Sequence, residues 1–172
     1  MSATHSLSIR RVDANRSLAV ACRVARSTEE LARHFAIRRA VFVDEQALFA
    51  GDDADDRDDR PATIHVVGAA DGLTGGAVRL YPLDAAGLWQ GDRLAVLPAF
   101  RHGMLGAALV RYAVDTAGRL GGHRMVAQIQ LPNVRFFELL GWRRDGDAGP
   151  YHGVDHQPMS IPLGGALSPR AR

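Results

Sequence analysis

The stretch Gly91–Leu120, GDRLAVLPAFRHGMLGAALVRYAVDTAGRL, decides the fold. Arg93–Leu97 is short, apolar and stopped by Pro98, which suits a buried strand better than a helix. Beyond the turn, Leu105, Leu109, Tyr112, Ala113 and Thr116 recur at helical steps. The spacing therefore predicts a helix that starts near Gly103, buries one apolar stripe and ends at Gly121-Gly122. A helix start leaves backbone N–H groups without intrahelical acceptors and carries the positive end of the macrodipole, so it attracts anions. Gly103 and Gly106 have no Cβ to hold a pyrophosphate away, and Arg101 adds a positive charge beside them. Strand, proline, arginine, glycines and amphipathic helix in this order read as a phosphate-binding strand-loop-helix unit.

Upstream, Leu18–Ala25 reads as a first strand, and Ser27-Thr28-Glu29-Glu30 has the spacing of a capping box. The helix it opens carries Leu31, Phe35, Arg38, Arg39 and Phe42 and is expected to run to Glu45-Gln46. The aspartate-rich run Asp52–Asp59 repels itself and predicts an extended, solvated loop; it lacks the central glycine and terminal glutamate of a calcium loop. Thr63–Ala69 and Gly76–Leu80 flank Asp71-Gly72 and predict an antiparallel hairpin. Arg79, inside its second strand, faces either solvent or a substrate cleft. Downstream, His123–Gln130 reads as a strand, Pro132-Asn133 opens a short helix through Leu140, and Tyr151–Leu163 supplies the last strand material.

The chain has 172 residues, 47% of them hydrophobic, enough for one domain with a real core. Residues 1–17 read as a flexible leader, 18–163 as the folded domain and 164–172 as a flexible tail. All 21 basic residues are arginine and the net charge is only +2, which gives no sign of nucleic-acid binding and excludes Schiff-base lysine chemistry. No apolar run has the length of a membrane span. Cys22 is the only cysteine, so neither an intramolecular disulfide nor a multi-cysteine zinc site can form, and the cytoplasm is the expected compartment. His152 and His156 flank Asp155 without further ligands nearby in sequence, so no metal site is expected.

Arg101-His102-Gly103-Met104-Leu105-Gly106 resembles the pyrophosphate loop of the GNAT superfamily of acetyl-CoA-dependent N-acetyltransferases, with Met104 where that family has its first glycine. Asn133–Trp142 is similar to the family's F-Y-x-x-x-G-F motif, with Phe137 in place of the tyrosine. Arg38–Gln46 resembles the R-x-x-V-F-V-x-E-Q segment of a GNAT subgroup and, more loosely, acyl-homoserine-lactone synthases. Gln157–Leu163 is similar to a subgroup named for nitrogen starvation. The resemblance spans Leu18–Leu163 and implies a single α/β (α+β) domain with a mixed, mostly antiparallel central sheet flanked by helices.

The resemblance also implies acetyl-CoA as cosubstrate, transferred directly in a ternary complex to the amine of a small molecule or peptide, without nucleic acid or membrane partners and with scope for a homodimer. It places the pantetheine arm along Leu94, Ala95, Val96 and Leu97, and the pyrophosphate on Arg101, His102, Gly103, Met104, Leu105, Gly106 and Ala107, with Asn133 and Phe137 also at the cofactor. Glu45 and Asp92 are the candidate bases, with His65 behind them, and Phe42, Glu45 and Arg79 are the candidate acceptor-binding residues. Phe137 has no proton to give the departing thiolate, which leaves Tyr112, Tyr81 or solvent as the acid. Two alternatives stand beside this: an acyltransferase related to acyl-homoserine-lactone synthases, and a catalytically silent acyl-CoA-binding module.

Overall fold

The computed structural model describes residues 19–164, so the expected leader and all of the expected tail but Gly164 lie outside the described residues. Eight strands form one sheet: β1 (Val20–Val24), β2 (Ile64–Ala70), β3 (Leu73–Pro82), β4 (Leu88–Val96), β5 (Arg124–Gln130), β6 (Arg143–Arg144), β7 (Gly149–Tyr151) and β8 (Val154–Pro162). Their order is β1-β2-β3-β4-β5-β8-β6, with β7 paired to β8. Only β4 and β5 run parallel. The helices are α1 (Thr28–Arg39), α2 (Leu105–Arg119) and α3 (Val134–Leu139). This is the mixed, mostly antiparallel domain expected from the sequence.

Local signals explain the elements. The Ser27 hydroxyl accepts from the Glu30 N–H at 3.1 Å while Glu30 returns to the Ser27 N–H, completing the capping box that starts α1. Asp71 and Gly72 both take positive φ, 50° and 82°, as a two-residue hairpin turn between right-twisted strands requires. Val66, Val78 and Leu80 pack with Leu105, Leu109 and Ala113 of α2, while Ala77 and Ala95 pack with Ile37, Val41 and Phe42. Successive strand residues point to opposite faces, so α1 and α2 cover opposite sides of the sheet. Glycine lets α2 sit close: a Cβ on Gly76 would lie 2.5 Å from Leu109 Cδ1.

Two regions depart from expectation. The first helix stops being α-helical at Arg39 and continues as a π-helical turn, Ala40–Glu45, in which the Gln46 N–H reaches back five residues to the Val41 carbonyl at 3.0 Å. The aspartate-rich loop, expected to be solvated, is exposed at Asp52, Asp56 and Asp59 but turns Asp53, Asp55 and Asp58 inward. Asp53 is 2% exposed, and Arg38 and Arg79 are fully buried. Arg38 donates to Asp53 at 2.8 Å and Asp58 at 2.6 Å; Arg79 pairs with Asp55 at 2.7 Å, Asp58 at 2.8 Å and Asp92 at 2.7 Å; Arg93 reaches Asp53 and Asp55. Self-repulsion within the run is overcome because three arginines from α1, β3 and β4 converge on it.

Candidate active site

The parallel pairing of β4 with β5 lasts only from Leu88–Gln90 against Arg124–Val126, after which the strands separate. Between them opens a cleft of about 140 Å³, walled by Gly91–Leu94 on one side and Ala127–Gln130 on the other. A bulge shapes the β4 wall, because Ala77 and Arg79 of β3 face Ala95 and Asp92, leaving one extra residue on β4. Arg93 sits there in the left-handed region at φ 51°, a conformation that costs a non-glycine residue about 1 kcal/mol or more. Its guanidinium is held by Asp53 and Asp55 and lies 4.7 Å over the Phe49 ring, so ion pairs hold the strained residue in place. A bulge takes main-chain groups out of the ladder, which frees backbone near Arg93–Leu94 for a ligand. Further along, the Val96 carbonyl accepts from Arg101 Nε and the Leu97 N–H donates to Gly75, so both are already engaged.

Val110 and Ala113 of α2 line the cleft, five and eight residues beyond the helix start. No side chain caps it, no acidic residue stands in its first turn, and its first regular bond runs from the Ala108 N–H to the Met104 carbonyl at 2.9 Å. The N–H groups of Leu105, Gly106 and Ala107 therefore lack intrahelical acceptors. His102, Gly103 and Met104 are exposed beside them, while the Leu105 side chain is buried under the helix. Asn133 and Phe137 line the cleft, and the Asn133 side chain makes no capping bond to α3.

Arg101 and Glu45, expected in separate roles, are bound to each other. The two guanidinium Nη atoms donate to the two Glu45 oxygens at 2.7 and 2.5 Å. These hydrogen bonds hold the Glu45 carboxyl below its usual range, the opposite of what a proton acceptor near neutrality needs. Glu45→Gln should therefore act on acetyl-CoA binding by freeing Arg101. The expected result is an affinity increase of about two- to fivefold that shrinks with added salt, with the pH profile of turnover unchanged. Calorimetry at two ionic strengths, with a pH series of initial rates, checks it.

The other candidates are equally constrained. Asp92 lines the cleft, but its carboxylate takes Arg79 Nε at 2.8 Å and Nη2 at 2.7 Å and the Tyr81 hydroxyl at 3.3 Å. Arg79 faces neither solvent nor the cleft; its guanidinium is spent on three aspartates inside the domain. His65 is buried against His34 and the Asp58 carbonyl, away from the cleft lining. Burial, then the Asp92 charge, pushes the Tyr81 hydroxyl upward, and Tyr112 packs on the core instead of the cleft. Phe42 does line the cleft, joined by Gln46 and Trp142, which close two of the family-like motifs, and by Phe49, Gln130, Tyr151 and His156, which carry no sequence signal for it. The π turn is what brings Phe42 and Gln46 to one wall while Glu45 points to Arg101.

These features suit a CoA thioester. An uncapped helix start beside exposed glycine fits the pyrophosphate, and the parted strands with their bulge fit an extended pantetheine arm. The Trp142 indole N–H is a buried donor in the cleft wall that lacks any partner among the described residues, as a site built for an amide- or carbonyl-bearing ligand would leave it.

Comparison with known proteins agrees. Residues 27–142 match the family described as the Acetyltransferase (GNAT) family. Among solved structures, a candidate N-acetyltransferase from Lactobacillus plantarum is 25% identical, with a TM-score of 0.73 over 84% of this chain and 99% of that one. YncA of Salmonella typhimurium, a candidate acetyltransferase solved with its cofactor acetyl-CoA, is 22% identical with a TM-score of 0.66 over 90% and 99% of the two chains. BjaI, a CoA-dependent acyl-homoserine lactone synthase solved with SAM and isopentyl-CoA, is 18% identical with a TM-score of 0.66 over 85% and 83%. Since the family match covers most of the chain and the cleft fits the thioester, the chain belongs to the GNAT family of acetyltransferases, with acetyl-CoA as its cosubstrate.

Proposed function

We propose that the domain of residues 18–163 is an N-acetyltransferase that passes the acetyl group of acetyl-CoA directly to the amine of a small molecule or peptide in a ternary complex. The carrying observation is the family match of residues 27–142 beside a cleft lining free of cysteine, serine, threonine and lysine, in which the remaining nucleophiles are Asp92, Tyr151, His152 and His156. Cys22 lies on β1, outside that lining. Acetyl-CoA supplies an acyl carbon and a thiolate leaving group; the chain supplies backbone donors at Arg93–Leu94 and at the α2 start, and an acceptor wall of Phe42, Leu48, Phe49 and Tyr151. That wall is aromatic and the nearby aspartates are committed to arginines. The acceptor is thus an amine on an uncharged, partly aromatic body rather than a polycation. Initial rates with both substrates varied should give intersecting double-reciprocal lines; parallel lines would mean a covalent acyl-enzyme and overturn direct transfer.

The likeness to BjaI keeps acyl transfer to an acceptor such as SAM as a second reading, because BjaI is itself CoA-dependent and a CoA loop does not separate the two. Thiol release with SAM as sole acceptor decides between them. A silent binding module would release no thiol with any acceptor.

Phe137 bears on the rate. It is 6% exposed in the cleft wall, edge-on to Phe136 and Trp142 with ring centroids 5.4 Å away. A thiol has a pKa of about 8.5, so water can reprotonate the leaving thiolate at neutral pH. Phe137→Tyr should leave acetyl-CoA affinity unchanged and accelerate single-turnover transfer severalfold; a slower transfer would show that the hydroxyl disturbs the wall without reaching the sulfur.

A further inference from the structure

An attacking amine arrives mostly as its ammonium and must lose a proton, yet both carboxylates near the cleft are bidentate partners of arginine. One other group has the chemistry. His156, on β8 opposite Gln130 of β5 and Gly149 of β7, is 7% exposed and lines the cleft. Its Nδ1 lies 2.7 Å from the Val154 carbonyl. A carbonyl only accepts, so Nδ1 carries the hydrogen and the neutral ring keeps its lone pair on Nε2. Among the described residues Nε2 makes no hydrogen bond, and it is not one of the buried unpartnered atoms, so it keeps contact with solvent although the residue as a whole is buried. The Tyr151 ring meets the imidazole edge-on with centroids 5.2 Å apart, which fixes its plane from a second side. The neighbouring His152 has none of this: it is exposed and packs on Phe49 and Tyr151 at the tip of the turn.

Resting on the acetyl-transfer reading above, we propose that His156 is the proton acceptor for the attacking ammonium, with Nδ1–H anchored on the Val154 carbonyl and Nε2 left bare toward the cleft. Nε2 takes one proton from the ammonium. The freed nitrogen lone pair forms the new C–N bond as the C–S bond breaks. The second proton lost from that nitrogen goes to the departing thiolate, and the imidazolium returns its proton to solvent, so the overall reaction releases one proton. The Val154 carbonyl stabilises the imidazolium through the same Nδ1–H bond. The other titratable and charged groups of the cleft lining are Tyr151 of β7, His152 of the turn, and Asp92 and Arg93, the last two already held in ion pairs, with Asp155 the next residue on β8.

The test compares the parent with His156→Asn, whose side-chain N–H can replace Nδ1–H on the Val154 carbonyl, and with His156→Gln. Thiol release from acetyl-CoA is followed from pH 6 to 9 with 2-phenylethylamine, benzylamine, spermidine and a tripeptide bearing a free N-terminus, alongside acetyl-CoA affinity by calorimetry. With the best amine, both variants should lose at least about 100-fold in kcat/KM, the usual scale for removing a general base. Acetyl-CoA affinity should stay within twofold of the parent. The ¹⁵N imidazole spectrum of the neutral ring in the free parent should show the proton on Nδ1 and a bare Nε2, whatever the acceptor. Variant rates within threefold of an active parent, or the opposite tautomer, overturn the assignment of His156. A parent that binds acetyl-CoA but releases no thiol with any amine fails the acetyl-transfer reading itself.

Discussion

Gly106→Asp is expected to abolish acetyl-CoA binding while leaving the protein folded. A Cβ at this position meets only Phe136 Cζ at 3.6 Å and Val96 Cγ2 at 3.7 Å, both ordinary contacts, and Gly106 lies in the first turn of α2. An acidic residue in a first helical turn is favourable in isolation, since it complements the dipole and accepts from free N–H groups. That same property makes the substitution informative, because the new carboxylate occupies the donors that the pyrophosphate requires and adds like charge beside it. Losing two charge-assisted hydrogen bonds costs about 3–6 kcal/mol, or at least about 100-fold in affinity. Calorimetry with acetyl-CoA and a thermal melt of the free protein check it together. Unchanged or raised melting temperature with lost binding is the expected pair of results; retained affinity would move the pyrophosphate elsewhere. Gly106→Ala is the control and should bind within a few-fold of the parent.

What could be read from the sequence was local. The capping box at Ser27–Glu30, the Asp71-Gly72 turn and the apolar stripe from Leu105 to Thr116 each specify their conformation within a few residues, and all three are present. The bulge in β4 is different. Its left-handed residue is Arg93 instead of glycine, and nothing in DRLAV marks it, because the conformation is held by Asp53 and Asp55, about 40 positions earlier. The inward half of the aspartate-rich loop is hidden for the same reason: its charge is visible, but Arg38, Arg79 and Arg93 lie on three separate elements and meet it only in the folded sheet. The π turn likewise depends on packing, since Ala40–Glu45 carries no helix breaker. In sequence His156 is only one of two histidines near Asp155; the feature that gives it a tautomer, the Val154 carbonyl two residues away, is a matter of side-chain rotamer that residue type does not reveal.

Arg79→Met should destabilise the domain by about 3–5 kcal/mol at neutral pH, the usual result of removing one side of a buried ion pair. Arg79 is fully buried and is shared by Asp55, Asp58 and Asp92. After the substitution Asp58 keeps Arg38 and Asp55 keeps Arg93, but Asp92 retains only the Tyr81 hydroxyl. The pH dependence separates this cause from lost packing. In the parent, burial pushes the Asp55 carboxyl upward, and the hydrogen bonds and charge of Arg79 more than reverse it, so its folded value lies below the ordinary carboxylate range. Such a group contributes stability that is present above the unfolded value of about 3.9 and is lost as pH falls through the folded one. Without Arg79 the burial effect is less opposed and the folded value rises, so protonation relieves the variant at a pH where the parent still profits from charge. The stability gap measured by urea unfolding should therefore be widest near pH 7 and narrow steadily toward pH 4. Arg79→Met combined with Asp92→Asn should recover part of the loss, because it removes the carboxylate left without a cation. A gap that is constant across this pH range would assign the loss to the shape of the arginine side chain and not to its charge.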